Sequence, residues 1–165
     1  MINGLDYLKK MYPNATEEEL QPCGLDLRLG QIYEIDSSED YYGLFDEYKK
    51  IPEHIPKKCA KMDEKLGWLL EPGIAYIAEV NVPIRIKNDS TQLYLPRSSL
   101  IRAGVHVCSS VGDAGYSGRL SFMIINFSQK NFFIEKESRF AQLLDFQTAG
   151  VSSQYDGDYQ ENIEK

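Results

Sequence analysis

No stretch of this sequence approaches the ~20 apolar residues that cross a bilayer, and its opening, MINGLDYLKK, lacks the basic-then-apolar order of a secretory signal. A cytoplasmic protein with no membrane partner is therefore expected. Positive charge is also short: 18 Lys and Arg against 25 Asp and Glu leave a formal net charge of −7. A broad nucleic-acid interface needs a basic surface that releases counterions from phosphates, so nucleic acid is set aside as a partner. An anionic small molecule would need a local cationic pocket. Cysteine is scarce and odd in number. Cys23, Cys59 and Cys108 are widely spaced and form no CxxC clip, which points to reduced thiols. Neither usual glycine-rich phosphate cradle, GxxxxGK[ST] or GxGxxG after a strand, is present. Pro22-Cys23 has no second Cys at the spacing that zinc nucleobase deaminases require, and neither His54 nor His106 stands in their His-x-Glu context.

What is present suits a β protein. The chain has 165 residues, 42% of them hydrophobic and 26% charged, enough for one compact domain with a core, taken as residues 1–151. Eleven Tyr favour strands over a helical bundle. Leu5, Leu8 and Tyr12 fall at helical spacing, and Thr16 with Glu19 resembles a capping box, so residues 1–21 are read as a short helical segment. From Gly24 the period changes to two: Leu25, Leu27 and Leu29 alternate with Asp26 and Arg28, which is a half-buried strand with a carboxylate on its other face. Residues 36–65, acidic and then basic with Pro52 and Pro56, form an irregular excursion with room for one short helix. Short β-rich runs follow at 74–86, 92–95, 120–127, 132–134 and 140–146. Many short strands at that spacing predict an all-β barrel or jelly roll. The polar, Tyr-rich segment 152–165 is either a frayed end or a mobile tail that orders over a ligand.

Two segments could carry chemistry. LPRSSLIRAGV, residues 95–105, gathers Arg97, Ser98, Ser99 and Arg102 after a strand, giving guanidinium forks and hydroxyls suited to phosphate oxygens. An ordinary basic turn would use the same residues. In VGDAGYSGRL, residues 111–120, glycines bracket Asp113 and Tyr116, as in a tight loop that presents a carboxylate beside an aromatic ring. A simple hairpin with an Asx-turn explains those residues equally. Met123, in the run FMII, reads as a core residue.

GLDL at 24–27, PRSSL at 96–100, DAGYSG at 113–118 and RFAQL at 139–143 occur in the order and approximate spacing of the dUTPase and dCTP deaminase superfamily, which the chain resembles over most of residues 22–146. The resemblance implies a distorted jelly-roll or β-clip barrel with short N-terminal helices, assembled as a homotrimer with active sites between subunits. It implies dUTP as substrate, hydrolysed to dUMP and pyrophosphate with Mg²⁺. In that reading Asp26 holds Mg²⁺ through water and Asp113 activates the attacking water. Arg97 and Ser98, with Ser99 and Arg102 of the same segment, serve the nucleotide, and Gln142 supports the phosphate and metal site. Tyr116 packs against the deoxyribose and excludes a ribose 2′-hydroxyl. A hairpin from Gly104 to Val111 offers backbone groups to the uracil edge. One base carboxylate, Mg²⁺ and cationic donors are a sufficient set for hydrolysing a triphosphate.

The deaminase branch places a glutamate ten residues after the Asp of the DxGY-type loop, and here that position is Met123. A thioether cannot perform general acid–base work, so the dUTPase branch, of archaeal or viral type, is favoured. A dCTP deaminase, mono- or bifunctional, and a non-catalytic nucleotide-binding relative are the alternatives. The end of the chain is mixed. YDGDYQ, 155–160, resembles a deaminase-type tail, but Asp158 stands where that tail carries a Lys. The tail is a weakened lid, a lid that uses Tyr155, Tyr159 and Gln160 without a cation, or a disordered end; the second reading is preferred.

Overall fold

The computed structural model describes residues 2–150 and 153–160. It contains helix α1 (Leu5–Met11), strands β1 (Gly24–Ile35), β2 (Lys65–Leu70), β3 (Ala75–Val80) and β4 (Ser90–Pro96), and helix α2 (Ser98–Arg102). Strands β5 (Val105–Cys108), β6 (Val111–Gly112), β7 (Ser121–Asn126), β8 (Phe132–Glu135) and β9 (Arg139–Gln147) follow. The described residues are all-β apart from these two short helices. No helix among the described residues is long and apolar enough to cross a membrane.

The main sheet runs in the order β5-β7-β3-β1-β9-β4-β6, with every neighbouring pair antiparallel. Its two outermost strands are consecutive in the chain, joined only by Ser109 and Ser110. Three peptide steps span at most about 11 Å, whereas a flat seven-stranded sheet would hold its edges about 29 Å apart. The sheet therefore curls round until its edges nearly meet, the jelly-roll-like form expected. Because β5 pairs with β7 while β6 pairs with β4, segment 104–111 is a crossover between edges and not the hairpin expected from the sequence.

The bend is built into β1. Its first half pairs with β9, Asp26 opposite Gln142, and its second with β3, Ile32 opposite Ala78. Register shifts mark both borders, between Leu29 and Gln31 and between Arg139 and Ala141. Gly30 occupies the first shift, where a Cβ would come within 2.9 Å of the Val80 carbonyl oxygen, so a side chain would push the strands apart.

Alternation supplies the core. Leu25, Leu27, Leu29 and Ile32 of β1 are buried against Tyr76, Ala78 and Val80 of β3, Phe122 and Ile124 of β7, and Phe140 and Leu143 of β9. Each such side chain contributes roughly 1.5–3 kcal/mol on full burial. The N-terminal segment is held by a buried polar network. Asn3 donates to Asp145 at 2.6 Å, while the Gln92 amide donates to Asp145 at 2.9 Å and to the Tyr12 hydroxyl at 2.8 Å. Thr16 and Glu19 form one half of the expected capping box: the Glu19 carboxylate accepts the Thr16 N–H at 2.7 Å, closing a turn and not a full second helix.

The excursion is more ordered than its sequence suggested. Residues 36–65 contain no helix; they hold the short strands Gly43–Leu44, Lys49–Lys50, His54–Pro56 and Ala60–Met62. The expected strands are present within a few residues, but β2 was not among them. Its sequence, KLGWLL, has no alternation, yet Trp68 and Leu70 are fully buried and the indole N–H is satisfied by the Lys57 carbonyl at 3.0 Å.

Candidate active site

Asp113 follows the last residue of β6 and is exposed. Gly112 before it can be nothing larger, since a Cβ there would lie 2.3 Å from the Tyr94 hydroxyl oxygen. Gly115 adopts φ +80°, the left-handed conformation that the glycine-rich loop was expected to need. The loop closes on itself through the Tyr116 N–H to the Asp113 carbonyl at 3.1 Å and is anchored beyond by Ser117–Gly118 pairing with Ile84–Arg85. Asp113 and Tyr116 thereby face one cleft of about 360 Å³, which His54, Ile77, Val111, Arg119, Tyr155 and Tyr159 also line.

The described part of the tail, 153–160, lies over this cleft. Tyr155 donates its N–H to the Ala114 carbonyl at 2.9 Å and sets its ring edge-on to Tyr116. The Gln160 side-chain oxygen accepts the Ser117 N–H at 3.2 Å. Tyr155 and Gln160 thus meet the Asp113 loop, and Tyr159, the third tail residue selected from the sequence, lines the same cleft. Residue 152 and residues 161–165 of the expected tail lie outside the described residues.

The other selected residues gather elsewhere. Asp26, Gln142 and Leu95 lie in one row across β1, β9 and β4, and Arg97, two residues beyond Leu95, shares their face. Asp26 is only 4% exposed, and its Oδ2 meets Arg97 Nε at 3.3 Å and an Arg139 guanidinium nitrogen at 3.4 Å. Burial pushes the Asp26 carboxyl above its ordinary range, and the guanidiniums of Arg97, Arg139 and Arg28 pull it back only in part. Ser98, Ser99 and Arg102 project from α2 into solvent, and Ser99 borders a recess with Arg139. Asp113 and Arg97 are far apart within the protomer. Asp113 continues from Gly112, which pairs with Gln92, so the six residue steps from Thr91 to Arg97 separate them by about 20 Å along β4 and its end.

Residues 6–148 match the model of the dCTP deaminase-like family. The chain belongs to the dCTP deaminase-like family. It is 37% identical over 161 residues to a probable deoxyuridine 5′-triphosphate nucleotidohydrolase of Methanothermobacter thermautotrophicus, covering 98% of this chain and all of that one. It is 33% identical to the deoxyuridine 5′-triphosphate nucleotidohydrolase of Methanocaldococcus jannaschii, over 96% of this chain and 98% of that one. Among solved structures, the 2′-deoxycytidine 5′-triphosphate deaminase from Agrobacterium tumefaciens superposes with a TM-score of 0.66 at 19% identity, over 87% of this chain and 48% of that one. This likeness concerns the fold.

Against the expectations from the sequence, two readings change, while the cysteines stand as expected. Met123 is not a core residue: it is 37% exposed on the outer face of β7, beside Ser121 and opposite Ile77, both of which line the cleft. It therefore borders the cleft at the position where the deaminase branch carries its glutamate. Gly104, with φ +78°, has no free N–H to offer a base, since it donates to the Ile101 carbonyl at 3.1 Å, and its carbonyl already accepts the Phe127 N–H at 2.8 Å. The cysteines are free thiols, Cys23 and Cys59 exposed and Cys108 half-buried. Arg139 was overlooked as a site residue although it opens the RFAQL motif. Arg119 was overlooked too, and its signal was its place at the end of VGDAGYSGRL.

Among the described residues no three His, Cys, Asp or Glu side chains converge as a metal cage. A single carboxylate is enough for a hard cation carried chiefly by substrate phosphates, because Mg²⁺ keeps several waters and takes one or two protein carboxylates. Asp26 is the carboxylate that sits among the phosphate-suited arginines.

Proposed function

We propose that this member of the family hydrolyses dUTP to dUMP and pyrophosphate. The observation that carries the reading is the cleft itself: Asp113 and Tyr116 face it together, and the residue at the deaminase acid–base position on its border is a methionine. Asp113 accepts a proton from the attacking water as the α–β phosphoanhydride breaks, and Tyr116 lies under the deoxyribose. A carboxylate in this role is worth about 10²–10⁴ in rate.

The second half of the site comes from another protomer. One chain holds Asp113 about 20 Å from Arg97, too far for both to touch one nucleotide's water and phosphates. In a homotrimer the Asp26, Arg97, Ser98 and Gln142 face of one subunit meets the cleft of the next. Asp26 would hold Mg²⁺ through water, and the ion would supply charge neutralisation of the triphosphate that an acidic protein lacks. The purified protein should release pyrophosphate from dUTP when Mg²⁺ is present and lose that activity in excess chelator. It should release no ammonia from dCTP. Ammonia release from dCTP without pyrophosphate release from dUTP would assign it to the deaminase branch instead.

A further inference from the structure

The excursion 36–65 has no part in the chemistry above, yet it reaches the tail. Gly43–Leu44 and Lys49–Lys50 pair as a small hairpin, with Leu44 opposite Lys49, and the stacked rings of Phe45 and Tyr48 stiffen its tip at a centroid separation of 4.5 Å. From this hairpin the Lys49 ammonium reaches Asp158 Oδ2 at 2.5 Å and lies 5.0 Å from the centroid of the Tyr159 ring. The tail is thus gripped on two sides, by Lys49 on one and by Ala114, Tyr116 and Ser117 of the Asp113 loop on the other.

Asp158 is the residue that made the tail difficult to understand as a lid, since a bare carboxylate beside a triphosphate repels it. Lys49 answers that difficulty within the same protomer. We infer that Lys49 is a positioning residue: it neutralises Asp158, so that no bare carboxylate faces the cleft, and holds the tail closed over its own protomer's cleft. This rests on the reading of the cleft as a nucleoside triphosphate site. The direction of both titrations agrees: the hydrogen bond between them holds the Lys49 ammonium above and the Asp158 carboxyl below their ordinary ranges.

An exposed ion pair changes an equilibrium by a factor of only about 2–5, so the effects sought are modest and the design must isolate them. Hydrogen exchange of the tail amides, led by the Tyr155 N–H, is followed in the nucleotide-free protein for the wild type, Lys49→Ala, Lys49→Asp and the charge swap Lys49→Asp/Asp158→Lys. Steady-state dUTP hydrolysis is measured on the same samples. Lys49→Ala should speed tail exchange about 2–5-fold and raise KM for dUTP while kcat changes less. Lys49→Asp should be worse on both counts, and the charge swap should recover protection and KM. High salt should bring wild type and Lys49→Ala together, because the pair is exposed. Unchanged tail exchange in Lys49→Ala and Lys49→Asp would overturn the inference, even if KM rose, since Lys49 would then act on the nucleotide directly. Faster exchange in a protein that turns over no dUTP would keep the clasp and remove the proposed activity.

Discussion

Tyr155 stands edge-on to Tyr116, ring centroids 5.5 Å apart and planes at 76°. One ring belongs to the Asp113 loop and the other to the tail, so the loop and the tail share a single aromatic unit. Such a pair contributes about 0.5–1.5 kcal/mol beyond its buried area. Tyr116→Ala should therefore loosen the tail and also open space beneath the sugar. The measurement is kcat/KM for dUTP and UTP: the ratio should fall by about tenfold, the scale of a single missing steric contact in a pocket. An unchanged ratio would place the discrimination elsewhere.

Arg97→Ala should raise KM for dUTP strongly, because it removes a guanidinium from the face expected to meet the phosphates and leaves Asp26 with a weaker counter-charge. If Asp113 and Arg97 of one chain serve two different sites of a trimer, as proposed, two defective proteins should complement one another. Arg97→Ala and Asp113→Asn chains, co-expressed in equal amounts, should assemble mixed trimers in which about a quarter of sites carry both native residues. Activity near that fraction of wild type is expected, and activity no higher than either parent would mean that each protomer builds its own site.

The turn before β1 gives a stability prediction. Burial tends to raise the Glu19 carboxyl, but the Thr16 N–H and the Arg28 guanidinium more than offset it, and the carboxyl lies below its ordinary range. A depressed folded value means that the contribution is complete above the unfolded carboxylate pKa and is lost as pH falls through the folded one. Glu19→Gln should lower Tm at neutral pH by about 2–4 °C, corresponding to about 1 kcal/mol. The gap should close in acid. A Tm difference that persists at low pH would show that the side-chain packing and not the charge matters.

Much of this architecture is visible in the sequence because local rules and tertiary structure agree there. Leu25, Leu27 and Leu29 alternate because one face of β1 is core, and the glycine at 115 stands where the loop requires positive φ. Where long-range contacts decide, the sequence misleads. Trp68 is buried from a strand without alternation because Ile134 and its neighbours on β8 cover it. Asp26 reads as a solvent-facing carboxylate, but Arg97 and Arg139 arrive from β4 and β9 and enclose it. Met123 looks apolar and therefore interior, although the period of β7 places it outside with Ser121 and Ile125. The Lys49–Asp158 contact spans 109 positions and has no local signature at all.

The central claim is that Asp113 is the base and not a turn residue. Asp113→Asn keeps the shape and the loop's hydrogen-bonding capacity, since Asn satisfies an Asx-turn as well as Asp does. It removes only the charge and the ability to take a proton from water. Steady-state dUTP hydrolysis and equilibrium nucleotide binding on an Asp113→Asn protein with wild-type oligomeric mass and Tm separate the two roles. The account predicts a loss in kcat of about 10²–10⁴ with nucleotide binding retained; turnover near the wild-type rate would contradict it.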